Sequence, residues 1–318
     1  MAGLALATSA AAAQPLAATT VDAKIAAFGA WVVWSVGSPG GFRLMGAHDG
    51  RVATLPVRPR RLPFDVDLGT DGHGHTVATY SRCSRSGCRV RVLDLATGAE
   101  RLAGVPHRRG DSDTFPSMWS GRIAFARHRG AVDRVLLWSP RARRVTVLPH
   151  GAVPTECPYP TGCRGITVRA RVDGLDLGPN VVSFLWSVQG PAVAVRTEIR
   201  VDRISTRRSV RVASGHGGEA CTANPDAVGL SAPTVAGGAI WFSQLAAACN
   251  VYTSALFRYA TSPVAGATAA LPGIVLQVAK DGPRLFALVA TPANPICSVA
   301  APCTIEQIAA PPLAPVGG

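Results

Sequence analysis

The residues of this chain best placed to bind something are Asp71-Gly72-His73-Gly74-His75. Two imidazole nitrogens and a carboxylate on so flexible a stretch could converge on a divalent metal. The same residues also describe an exposed hairpin turn, where glycine supplies positive backbone angles and polar side chains collect. On that reading no metal ligand is assigned. His216, in Ser214-Gly-His-Gly-Gly218 close to Cys221, reads in the same way as part of a loop rather than as a catalytic base. A serine nucleophile on a sharp strand-to-helix turn would need Gly-x-Ser-x-Gly, a pattern the chain lacks. Glycoside hydrolysis needs two acids facing one cleft, and none of the 19 acidic residues pairs off by spacing. No catalytic residue and no cofactor are therefore expected.

The cysteines carry chemistry of another kind. Of the 8, Cys83 and Cys88, Cys157 and Cys163, and Cys297 and Cys303 are close neighbours, leaving Cys221 and Cys249 as a fourth pair. Short loops close easily in an unfolded chain, so four local disulfides are expected. Loop-closure entropy gives about 2 kcal/mol for each short staple and about 3.6 kcal/mol for the longer one. Zinc is the competing use of cysteine, but the close pairs lack the two-residue gap of a zinc knuckle and no histidine pair follows them. Such bridges persist in an oxidising compartment, which points to a secreted or extracytoplasmic protein. Met1 to Thr20 fits this: it is uncharged and rich in alanine, with Ala11-Ala-Ala13 just ahead of Gln14-Pro15. Residues 1–20 read as an export segment cut near Ala13, and residues 21–318 as a single domain. A retained membrane anchor is the rival, and alanine inserts poorly beside Leu, Ile and Val.

These residues need elements to hold them, and the elements repeat. Six segments share an apolar stretch, a glycine turn, and a strand of β-branched and aromatic residues. They are Ile25 to Trp34, Val66 to Tyr80, Phe115 to Phe125, Leu175 to Trp186, Thr234 to Phe242 and Leu276 to Phe286. Comparable residues, Val32, Val77, Ile123, Val182, Ile240 and Leu285, recur every 45 to 59 residues. That is the spacing of propeller blades. The two wide gaps contain Cys157 to Cys163 and Cys221, so insertions explain them without extra blades. A second strand pair follows the hairpins, clearest as Val90 to Leu93, the turn Asp94-Leu-Ala-Thr-Gly98, and a return to Leu102. Phe42 to Met45 with Val52 to Leu55, Val135 to Trp138 with Val145 to Leu148, and Ile199 to Ile204 with Ser209 to Val212 repeat the scheme. Four antiparallel strands per unit is the blade formula, so the fold expected is all-β, a six-bladed propeller. The last unit lacks a strand, because the proline-rich Ala309 to Gly318 cannot form a central one. Thr19 to Ala23 is the candidate to complete it from the N-terminus.

The turn Asp94-Leu-Ala-Thr-Gly98 between outer strands, and the glycine turn before Ile240-Trp-Phe242, resemble the propeller repeats of the TolB-like superfamily over roughly Ala23 to Pro311. The Asp-Gly-x-x-Ile/Leu turn of those repeats is approximate here, clearest at Asp281-Gly-Pro-Arg-Leu285. The resemblance implies the six-bladed fold and no individual activity.

The chain carries a net charge of +13, almost all from arginine, since Lys24 and Lys280 are the only lysines. Arginine with abundant alanine is also the default output of a GC-rich genome. The clusters Arg58-Pro-Arg-Arg61, His107-Arg-Arg109 and Arg141-Ala-Arg-Arg144 could favour anionic cell-wall polymers or phospholipid. Nucleic acid is not expected as a partner, because no base-stacking aromatics interleave with these arginines. Trp31, Trp34, Trp119, Trp138, Trp186 and Trp241 read as packing residues, with Trp119 the exception. The function expected is a non-catalytic binding or scaffolding propeller, its protein or cell-envelope partner held at one face or at the channel mouth. The alternative is a secreted hydrolase or lyase with its site in the central funnel, or in the loops Cys157 to Arg164 and His216 to Val228. Polar groups converging at the centre with shifted acidities would favour the enzyme.

Overall fold

The computed structural model describes residues 13–149, 169–189, 195–216, 227–248, 251–261, 264–271, 273–291 and 296–315. All the regular elements among these residues are β-strands. The chain enters through β1 (Gln14–Thr19) and then builds four-stranded units in succession. The first holds β2 (Ala26–Phe28), β3 (Trp31–Ser38), β4 (Gly41–His48) and β5 (Arg51–Thr54). The second holds β6 (Asp67–Thr70), β7 (Thr76–Ser84), β8 (Gly87–Asp94) and β9 (Glu100–Leu102). The third holds β10 (Ser112–Trp119), β11 (Arg122–Arg129), β12 (Val132–Ser139) and β13 (Arg144–Val147). The fourth holds β14 (Arg169–Leu177), β15 (Val181–Gln189), β16 (Val195–Arg203) and β17 (Arg208–His216). A single parallel bridge, Val132 to Ala170, is all that joins the third sheet to the fourth.

In the fifth unit the innermost strand is broken into β18 (Ala227–Leu230) and β19 (Thr234–Ala236). Both pair with β20 (Ala239–Ala248), which is followed by β21 (Val251–Thr261) and β22 (Val264–Leu271). The last sheet runs β23 (Ile274–Asp281), β24 (Arg284–Ala290), β25 (Cys303–Ile308) and then β1, in antiparallel pairing. The C-terminal tail adds only β26 (Ala314–Pro315), on the outer edge of β22, where a proline costs no ladder bond.

The N-terminus thus supplies the missing strand, but from Gln14–Thr19 and not from Thr19 to Ala23. The physical reason lies in what each stretch can bury. Leu16 and Ala17 pack on the core between the last unit and the first, and the Thr19 hydroxyl donates to the Ser35 carbonyl at 2.7 Å to end the strand. The residues after Thr19 leave the sheet and bring Lys24 inwards.

Six hydrophobic clusters hold the units together, and each draws on two that are adjacent. Val33 and Leu44 meet Leu68 and Ala78, Val92 meets Ile123, Ala124 meets Val182, Ile199 meets Phe242, and Trp241 meets Leu285. The remaining cluster joins Trp34 of the first unit to Phe286 and Ile305 of the last, so the packing is circular. The innermost strands touch in the same closed circuit, β2 to β6, β10, β14, β19, β23 and back to β2.

This packing explains the strongest signal in the sequence. The second strand of each unit is covered by neighbours on both faces, so Val32-Val-Trp34, Ile123-Ala-Phe125 and Ala239-Ile-Trp-Phe242 are buried without alternation. Each such side chain contributes about 1.5–3 kcal/mol by leaving water. The outer strands face solvent, and all four residues of β5 are exposed.

Candidate functional site

The polar side chains of the innermost strands meet across this circuit. Lys24, just ahead of β2, donates from Nζ to Asp67 Oδ1 of β6 at 2.7 Å and to the Leu175 carbonyl of β14 at 2.7 Å. One side chain therefore ties the first, second and fourth units together. Next to Leu175, Asp176 accepts the Ser117 hydroxyl of β10 at 3.1 Å and the Val235 amide of β19 at 2.6 Å. Ser117 Oγ in turn accepts the Leu177 amide at 2.8 Å. Beside this group the Gln277 carbonyl oxygen of β23 accepts the Ala232 amide at 3.2 Å. Desolvation of its carboxyl raises the neighbouring Asp22 above its ordinary range, although the residue as a whole is exposed, and a bond to Gln277 only partly offsets that.

Charge decides the protonation of the centre. Lys24 and Asp67 are 8% and 5% exposed at their side chains, so neither charge is relieved by water. Burial first, and the Asp67 charge second, push the Asp176 carboxyl up to about 8. Asp67 Oδ2 is buried and accepts no hydrogen bond from a fixed donor. Asp176 meets Ser117 and the Val235 amide with its two oxygens while Lys24 lies against Asp67, and an acid that keeps its proton limits the charge buried in this cluster.

Sequence reasoning missed this centre. Its signal was present in two corresponding strands, Val66-Asp-Leu-Gly69 and Leu175-Asp-Leu-Gly178, each with one acid in an otherwise apolar run. Lys24, one of two lysines in an arginine-rich chain, was the third mark.

The residues the sequence did single out lie elsewhere. Asp71 spends Oδ1 on the amides of His73 (2.8 Å) and His75 (3.0 Å), closing its own turn. Those two bonds, with help from the imidazoles, hold its carboxyl below the ordinary range although burial acts the other way. The two imidazole rings stand 6.1 Å apart, and His75 Nδ1 is 3.7 Å from both Asp71 and Asp94. Among the described residues no group of three or more His, Cys, Asp or Glu side chains could hold a metal. His216 ends β17, exposed to solvent.

Cys83–Cys88 is a disulfide across the β7–β8 hairpin, and Cys297–Cys303 ties a loop to the start of β25. Cys157, Cys163, Cys221 and Cys249 lie outside the described residues, as do most of both inserted loops. Trp34, Trp138, Trp186 and Trp241 are buried as packing residues. Trp119 is half-buried, edge-on to Phe28 at 5.7 Å, and Trp31 shares that status, stacked on His48 at 4.5 Å.

The Asp71 turn lines a cleft of about 530 Å³ between the second and third units. Its walls are fixed by backbone contact. Ser120 and Gly121 donate their amides to Thr70 Oγ1 (3.2 Å) and the Thr70 carbonyl (3.1 Å). A Cβ on Gly121, at φ +76°, would stand 3.0 Å from the Gly72 backbone, so only glycine lets the two turns touch.

Circular packing of four-stranded antiparallel sheets is the architecture of a propeller. The chain has a β-propeller fold. No family model matches it, and no curated protein matches it in sequence. Among solved structures, the propeller is similar to the PQQ-bound form of aldose sugar dehydrogenase from Streptomyces coelicolor. That likeness has a TM-score of 0.50 at 15% identity, and covers 93% of this chain and 96% of that one. TolB from Acinetobacter baumannii aligns with 88% of this chain at a TM-score of 0.49 and 11% identity. The propeller spans 64% of that TolB chain, under two thirds of its length. Oligogalacturonate lyase in complex with manganese aligns at a TM-score of 0.46 and 9% identity, covering 88% of this chain and 86% of that one. At such identities the likeness is one of fold alone.

Proposed function

We propose that the chain is an extracytoplasmic six-bladed propeller that binds a protein or an anionic cell-envelope polymer without chemically changing it. The observation that carries this reading is the electrical closure of the axis. Lys24 bonds Asp67 and the Leu175 carbonyl, and Asp176 bonds Ser117 and the Val235 amide, so these buried groups act as a hub for the ring. The six strand units and their circular clusters support the blade count. The two disulfides support an oxidising compartment. An export segment ending near Ala13 would leave β1 whole.

A second reading, a hydrolase or lyase, is favoured by the raised pKa of Asp176, since shifted carboxyl groups cluster at functional sites. Burial weighs against it, because a general acid must come within hydrogen-bond reach of a substrate atom. Two assays separate the readings. The purified chain should co-sediment with isolated cell envelope, and release no product from polyuronide or ester substrates. Turnover that Asp176→Asn abolishes while the protein stays folded would overturn the binding reading, and so would failure to co-sediment.

A further inference from the structure

The cleft between the second and third units lies on the face that carries the first and third turns of each unit, and three arginines line it. Arg101 comes from β9, Arg122 opens β11, and Arg141 sits in the turn before β13. Some arginines elsewhere are matched by acids: Arg60 reaches Asp65 at 3.1 Å, Arg127 reaches Asp113 at 2.6 Å, and Arg200 reaches Glu198 at 2.6 Å. Among the described residues the three arginines of the cleft make no ion pair. Arg122 is steadied only by donating to the Pro179 carbonyl. The single acid in the lining, Asp71, is turned to its own loop amides.

Three arginines and one carboxylate thus line the cleft, and Met118 and Ile123, both buried, form the apolar floor. Like charges gathered around an apolar floor repel one another unless an anion sits between them. The guanidinium fork matches carboxylate and phosphate oxygens two at a time. A volume of about 530 Å³ suits a small molecule or the end of a chain.

We propose that this cleft binds an oxyanion, phosphate or carboxylate, carried on a small apolar or sugar-sized body. Arg101 and Arg141 clamp the anion from opposite walls, and Met118 with Ile123 takes up the body. The assignment rests on the binding reading above and gives it a place and a ligand class.

Isothermal titration of the full chain with phenyl phosphate and with benzoate tests the proposal, with phenol and inorganic phosphate for comparison. Phenyl phosphate should bind more tightly than inorganic phosphate, and phenol should not bind. Arg101→Gln with Arg141→Gln should weaken phenyl phosphate by about tenfold or more, the loss of at least one charge-assisted clamp. Arg58→Gln with Arg61→Gln, an exposed cluster elsewhere, should leave it within about twofold. Arg141→Gln alone gives an intermediate loss, should the double variant prove unstable. Absence of heat with both oxyanion probes, or equal weakening by the two double variants, would overturn the assignment. Displacement of bound phenyl phosphate by poly(glycerol phosphate) would identify a polymer as the source of the anion, and its failure a free small ester. Envelope co-sedimentation that survives in wild-type protein without any oxyanion binding would sink the cleft alone, leaving the binding reading intact.

Discussion

Asp176 keeps a proton that an exposed aspartate sheds near its ordinary value of 3.8. The unfolded chain therefore releases this proton near that value, while the folded chain holds it to about 8. Between the two values the unfolded state is favoured more with each step upward in pH, so the group's effect on stability worsens through that window. Urea unfolding at about pH 5 and about pH 7.5 should show this loss, with a slope from Asp176 of up to about 1.4 kcal/mol per unit. Asp176→Asn keeps the shape and should flatten the slope; an unchanged slope would mean that the carboxyl ionises normally. Lys24→Met should act differently, because it strands a buried Asp67 carboxylate, and should cost about 3–5 kcal/mol. Lys24→Met with Asp67→Asn should recover part of that loss, which denaturation midpoints of the three proteins would measure.

Single elements can be tested by how closely they approach. Gly69 in β6 lies so near β10 that a Cβ would stand 1.7 Å from the Met118 carbonyl oxygen. Gly69→Ala must push two innermost strands apart and should cost more than about 2 kcal/mol. Gly72→Ala, where a Cβ meets nothing within 4 Å, is the matched control and should be neutral or slightly stabilising. Deleting residues 1–13 should leave the melting temperature unchanged, whereas deleting residues 1–19 removes β1 and should abolish the folded state. Equal stability of the two truncations would show that the last sheet needs no such strand.

The elements were legible in the sequence to different degrees, for physical reasons. Strands such as Ile123–Phe125 and Val181–Trp186 are buried on both faces and so read as unbroken apolar runs. In the fifth unit, β20 ends in Leu245-Ala-Ala-Ala248 and β22 is largely alanine and glycine, residues with weak strand preference, so the outer half of that unit left no mark. Asp67 and Asp176 sit in strands that the sequence marked, yet their meeting depends on closing a ring across more than a hundred residues, which no local pattern records. The cleft was half legible: its Asp71-His73 turn and Arg141 cluster were both singled out, and the packing of two units made them neighbours.

At the scale of the molecule, circular packing sets how the chain comes apart. Each sheet buries its faces only against the next, so no unit is stable without both neighbours, unlike an open repeat array that can fray from its ends. Trp34, Trp138, Trp186 and Trp241 report from four of the units. Their fluorescence and far-ultraviolet circular dichroism should therefore trace one coincident unfolding transition. Two separated transitions would mean that the ring opens into independent halves.

The pairing of β1 with β25 also orders events in time. A ribosome delivers Gln14–Thr19 well before Cys303–Ile308, so the earlier strand stays unmatched until the later one emerges. A stalled or clipped product would keep that naked margin and offer it to other incomplete copies. Only the arrival of Cys303–Ile308 hides it, which makes that late strand the latch of the ring.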